Sequence, residues 1–190
     1  MDGSVLPFHR PPGRARGRIA FGAPLPLAMA AERELADIVL DQVWPVWRVR
    51  DSLDGRLPDG WLLVDLYDVW LGEPALAGQV AAADYRIEVT GATAANLTTA
   101  ATEMLAATRL PRERQKGSGV VAYDLRPLVA SVVVVEVGPP VVLRARTRFD
   151  SVLGTGRPEE VVAALGDLIG AAVSIGSIVR ERLLLASELG

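Results

Sequence analysis

The chain has 190 residues, half of them hydrophobic, a formal net charge of −3, one histidine and no cysteine. That length suits one domain or two small ones, and the acidic balance argues against bulk affinity for nucleic acid. The lack of cysteine excludes disulfides, iron–sulfur clusters, thiolate zinc sites and cysteine nucleophiles within the chain, and it fits a reducing cytoplasm.

Residues 1–17 are rich in proline, glycine and arginine and read as irregular. His9, the single histidine, stands among prolines there and reads as a solvated loop residue. Pro7, Pro11 and Pro12 occupy the place where a signal peptide would need an apolar run. Short apolar stretches at 18–24 and 35–40 predict two strands, with 25–34 as a wide connection between them. Pro45 is placed to open a helix carrying Val46, Val49 and Leu53 on one face, which 57–60 (LPDG) ends. Residues 61–69 (WLLVDLYDV) predict a strand, and helical spacing at Trp44 and Trp47 and strand spacing at Trp61, Tyr67 and Trp70 place these aromatics largely in the core.

A short helix is expected at 75–83 and an alternating strand at 85–90. Thr93 is set to cap a helix whose apolar stripe is Leu97, Ala101, Met104 and Leu105, and which stops before Pro111. Residues 109–119 read as a basic loop and 120–123 as extended. The β-branched run 129–137, the break Gly138-Pro139-Pro140 and the extended stretch 141–149 predict a hairpin. Residues 161–179 are apolar enough to raise a membrane span, but Asp167 and the interspersed Gly and Ser residues favour a helix opened by Pro158, followed by a strand within 174–185.

From Tyr85 the order is strand, helix, strand, strand, helix, strand, the split βαβ pattern. The earlier part repeats that order without its opening strand and helix. The expectation is therefore an α+β protein of two ferredoxin-like halves: an irregular segment 1–17, an incomplete first half 18–83 and a second half 84–190.

Several short motifs, taken together, resemble a radical-SAM-associated family of bacterial proteins, fused to or encoded beside a cobalamin-binding radical-SAM protein. They are Arg18-Ile19-Ala20-Phe21 running into Pro24-Leu25-Pro26-Leu27, then Leu57-Pro58-Asp59-Gly60 and Ala83-Asp84-Tyr85. Lys116-Gly117, Asp124-Leu125-Arg126-Pro127 and Arg157-Pro158-Glu159-Glu160 complete the set. The family's opening strand and basic helix have no counterpart here, which implies either an upstream start or a shortened form. The resemblance implies a companion of a radical-SAM protein with a link to RNA; without cysteine, the chain cannot hold the enzyme's cluster itself.

Three arginine-bearing stretches are candidate RNA contacts, because guanidinium forks match phosphates. The first is Arg14, Arg16 and Arg18, with Arg10 nearby; the alternative is a solvated tail. The second is Arg112, Arg114 and Lys116, which lack the spacing of a phosphate-binding P-loop. The third is Arg144, Arg146 and Arg148, placed on one strand face by period-2 spacing, where the alternative is pairing with Asp or Glu of a neighbouring strand. Asp124 and Arg126 read as local caps rather than catalysts. No catalytic residue, metal or cofactor is indicated. The expectation is a non-catalytic RNA-binding or adaptor module for a separate radical-SAM enzyme. A protein-interaction subunit, self-pairing through an open sheet edge into a homodimer included, and a metal-independent RNA enzyme are the alternatives.

Overall fold

The computed structural model describes residues 6–10, 18–117 and 119–189. They form an α+β fold of two compact units. The first unit comprises the described residues up to Gly22 together with Leu35–Gln79; the second comprises Ala23–Glu34 and the described residues from Val80 onward. Four α-helices, a mixed six-stranded sheet and two separate two-stranded ladders are present among the described residues.

In the first unit, strands β1 (Ile19–Phe21) and β3 (Ala36–Ile38) pair antiparallel, Ala20 opposite Asp37. Pro45 precedes helix α1 (Val46–Leu53), which buries Val49, and the four-residue helix α2 (Leu76–Gln79) buries Leu76. Residues 61–69 form no strand. Their propensity is that of a strand, but a strand exists only where a neighbour accepts its backbone groups. Among the described residues, no backbone–backbone hydrogen bond engages residues 62–69. The core placement of the aromatics fails with it: Trp47, Trp61, Tyr67 and Trp70 are all exposed, Trp70 at 76%.

The second unit holds the large sheet, in the order β2 (Ala30–Ala31), β10 (Ser174–Leu185), β4 (Val80–Thr90), β8 (Val141–Asp150), β7 (Val129–Glu136). The short strand β9 (Gly154–Thr155) adds to β8, and all pairs are antiparallel except β2 with β10. The expected hairpin of β7 and β8 is present, and strand β4 begins earlier than expected, taking residues assigned to a helix. The basic stretch read as a loop is strand β5 (Pro111–Lys116), paired with β6 (Gly119–Asp124) around a turn where Gly117 has φ +63°.

Helix α3 (Ala94–Ala106) opens on Thr93, whose Oγ1 accepts from the Asn96 amide at 3.2 Å. Helix α4 (Pro158–Ile169) opens on Pro158 with Glu159 and Glu160 in its first turn, and closes on Gly170 in the left-handed region. Both helices pack on one face of the sheet: Leu97, Met104, Val161 and Leu165 of the helices and Ile87, Val89, Leu143 and Ala145 of the sheet are fully buried in the core. Residues 161–179 are thus a helix followed by a strand, and no helix among the described residues is long and apolar enough to cross a membrane.

Candidate functional site

The face of the large sheet opposite α3 and α4 carries an alternating lattice of charge. Period 2 puts Asp84, Arg86 and Glu88 of β4 on that face, and the register sets Asp84 opposite Arg146 and Arg86 opposite Arg144. Strand β10 has a register shift between Arg180 and Arg182. Without that bulge the two arginines would share a face; with it, Arg180 turns inward opposite Tyr85 and Arg182 turns outward opposite Asp84.

Two carboxylates organise the outer lattice. Asp84 accepts a two-pronged contact from Arg146, Nε to Oδ1 at 2.6 Å and Nη2 to Oδ2 at 3.0 Å, and a third bond from Arg182 Nε at 2.9 Å. Glu181, the residue in the bulge, accepts from Arg144 at 2.8 and 2.9 Å and lies 3.5 Å from Arg86 Nε. Arg86 also reaches Glu32 at 2.7 Å. Burial works against the charge on Asp84, but its bonds to Arg146 and Arg182 outweigh that and hold its carboxyl below the usual range. The bond to Glu181 raises Arg144, and the bond to Asp84 raises Arg146, above the ordinary guanidinium range.

Arg148 differs from the other two strand arginines. Its Nη1 donates to the Pro127 carbonyl at 3.1 Å, and no carboxylate pairs with it among the described residues. The β5–β6 pair lies on the helical side of the unit, where Arg112 pairs with Asp167 of α4 and Arg114 stacks 5.1 Å from the Tyr123 ring. Lys116 stands beside the Gly117 turn. The described candidates therefore fall on separate surfaces, Arg144, Arg146 and Arg148 on one side of the sheet and Arg112 and Arg114 on the other. Arg14 and Arg16 lie outside the described residues. Arg18, in the first unit, is exposed and joins the His9 carbonyl through its amide at 2.8 Å.

The helical side of β10 holds a buried clasp that sequence reasoning missed. Arg180 is 1% exposed. Its Nε bonds Glu34 Oε1 at 2.7 Å, and its two Nη atoms bond the Pro24 and Ala23 carbonyls at 2.9 and 3.3 Å. Burial pushes the neighbouring Tyr85 phenol up, with Arg180 pulling the other way. Two motif residues, Pro24 and Tyr85, thus meet at one guanidinium. Asp124 and Arg126 act as local caps: Asp124 Oδ1 accepts from the Leu110 and Arg126 amides, and Arg126 donates to the Leu105 and Val129 carbonyls, both at 2.8 Å. Those amide bonds hold Asp124 below the usual carboxylate range. Pro58 accepts from the Trp61 amide in a turn where Gly60 has φ +82°, Pro26 accepts from Met29, and Phe21 is half exposed. Pro127 lies in a single 3-10 turn before β7.

His9 lies outside the helices and strands with its side chain 39% exposed, and it has a partner. Its Nδ1 lies 2.7 Å from Asp41 Oδ1, a partner 32 positions away that no local pattern announces. Among the described residues no three His, Asp or Glu side chains converge as a metal site. A shallow depression of about 280 Å³ lies between Val89–Ala94 and Val137–Val141 and has no titratable lining.

No curated protein and no solved structure is detectably similar to the chain. One family profile matches residues 15–161, which takes in every motif noted above but not most of α4 or the clasp arginine. The chain belongs to that family, the uncharacterized proteins conserved in bacteria known as DUF2344.

Proposed function

We propose that the protein is a non-catalytic adaptor that docks a separate radical-SAM enzyme by protein–protein contact, in the cytoplasm. The observation that carries the reading is the stretch 61–71. Trp61, Leu62, Val64, Tyr67, Trp70 and Leu71 are all exposed along it, and residues 62–69 make no backbone–backbone bond among the described residues. Contiguous exposed apolar surface marks interaction sites. The outer sheet face supports RNA less well, because Arg144, Arg146 and Arg182 already hold carboxylates that a phosphate would have to displace.

The order β10–β4–β8–β7, with α3 and α4 on one face, supports a ferredoxin-like reading of the second unit. In the first unit, β1, β3, α1 and the stretch 61–69 repeat the chain order of β7, β8, α4 and β10. That supports an incomplete half of the same kind.

The test is copurification with the radical-SAM protein after nuclease treatment. Replacing Trp61 and Trp70 together by Ser is expected to weaken the complex by about a hundredfold, as loss of aromatic anchors does. A complex indifferent to both substitutions sinks the reading. Arg148, without a carboxylate among the described residues, favours RNA binding as the second reading, and a steep loss of RNA affinity with salt would put it first. The His9–Asp41 pair favours the RNA-enzyme alternative, since a carboxylate orients a histidine base in this way; RNA left intact on prolonged incubation removes it.

A further inference from the structure

The large sheet of the second unit has two sides that end differently. On one, the two-residue β2 lies along β10, whose middle carries a bulge together with Arg180, Glu181 and Arg182. A short edge strand, charge and a bulge all discourage pairing with another chain. The other side is β7, eight residues long (VASVVVVE), the first seven without charge or proline. It pairs with β8, and no strand takes its far side among the described residues. Nor does any backbone–backbone bond outside the β8 ladder engage residues 130–136 among the described residues. Its register shifts lie near its ends and leave Ser131–Val134 regular against Leu143–Arg146. Alternate backbone groups of such a strand point away from its neighbour, so this edge presents donors and acceptors to pair with.

The side chains define what fits there. Ser131 and Val133 lie opposite Arg146 and Arg144 on the outer face, and Val133 and Val135 are half exposed. Charge stands at the two ends. Glu136 closes the strand, exposed and opposite Val142 of the same face, and the ion pairs of that face among the described residues leave it out. Arg148 donates to the Pro127 carbonyl, so its guanidinium reaches the approach to the start of β7, and it too has no carboxylate among the described residues. An antiparallel partner strand therefore needs small and apolar residues along its middle, an acid at its end and a base beside its start, on one face. β7 turned end for end has that pattern.

We infer that β7 pairs with β7 of a second copy of this chain, antiparallel about a two-fold axis near Val133, and joins two large sheets into one. Such a contact is self-complementary: each copy offers the same strand, and every interaction occurs twice. Main-chain bonds supply the attraction, and the ends set the register, with Glu136 of each copy turned toward Arg148 of the other. The like charges of the two Glu136 residues stand at opposite ends of the ladder. The inference concerns the second unit, goes beyond the adaptor reading and does not rest on it.

The experiment is sedimentation velocity of the full chain across a concentration series. The parent is expected to pass from 20.2 kDa to twice that mass as concentration rises. Val133→Lys sets two ammonium groups beside the axis and is expected to weaken association by about tenfold or more. Glu136→Arg and Arg148→Glu each place like charges at both ends of the ladder, and each alone is expected to sediment as a monomer. An equimolar mixture of the two is expected to recover the dimer, because both ends then join opposite charges. That recovery also requires both variants to be folded. A parent that stays monomeric at every concentration, a dimer indifferent to Val133→Lys, or a mixture no more associated than its components overturns the inference. Growth beyond a dimer overturns it as well, since a two-fold contact closes on itself.

Discussion

Asp84 and Arg146 face each other across the β4–β8 ladder and bond through both oxygens and two nitrogens, with Asp84 only 7% exposed. A second arginine, Arg182, shares the same carboxylate. One acid thus bonds two cations, and offsets the charge of one, on a sheet face where the sequence shows only a row of arginines.

Replacing Asp84 by Asn should destabilise the second unit by about 1–3 kcal/mol, because two partly exposed guanidinium groups lose their acceptor. The pH dependence has a definite sign. The carboxyl is held below its ordinary value in the folded state, so its contribution is present above the unfolded pKa and is lost as pH falls through the folded one. Urea midpoints of the parent and Asp84→Asn should therefore converge as pH falls below the ordinary carboxylate range and through the lower folded value. A gap that stays constant as the pH is lowered would show that the pair does not stabilise through charge.

Glu34→Ala should cost more, about 3–5 kcal/mol, since it leaves a guanidinium uncompensated in the interior. Replacing both residues, Glu34→Ala with Arg180→Met, should recover much of the loss because no buried charge remains. Denaturant melts of the two single variants and the double variant check this, and strict additivity would argue against direct coupling.

Arg126→Lys should fail to rescue Arg126→Ala. A single ammonium cannot span the Leu105 and Val129 carbonyls as the planar fork does. Both variants are expected to lose about 1–3 kcal/mol, with faster exchange at the C-terminal end of α3.

If RNA binds at all, replacing Arg144, Arg146 and Arg148 together by Gln should change the salt slope by about one phosphate, contributed by Arg148. A drop of about three would mean that the carboxylate pairs open for phosphate. Filter binding across a salt series distinguishes the two.

The second unit was legible wherever the signal was local. Thr93, Pro158 and the Gly138–Pro140 break mark their boundaries because caps and turns are decided within a few residues. β2 was not legible: two alanines carry no strand signal, and they pair with β10 beside the Arg180–Glu34 clasp. The face of Arg180 was hidden as well, since a one-residue bulge reverses every later assignment by alternation. Residues 61–69 show the opposite case, a correct propensity without the neighbour that would make a strand. The arginine candidates were sound as a pattern on one face, but Asp84 and Glu181 come from other strands, so no local window contains both partners.

The clasp between Glu34 and Arg180 joins residues 146 positions apart. At synthesis rates of about 5–20 residues per second, the early segment waits roughly 7–30 s before its partner is made. β2 is thus translated long before it can settle, and the nascent chain carries Glu34 and two spare carbonyls in the open until β10 arrives.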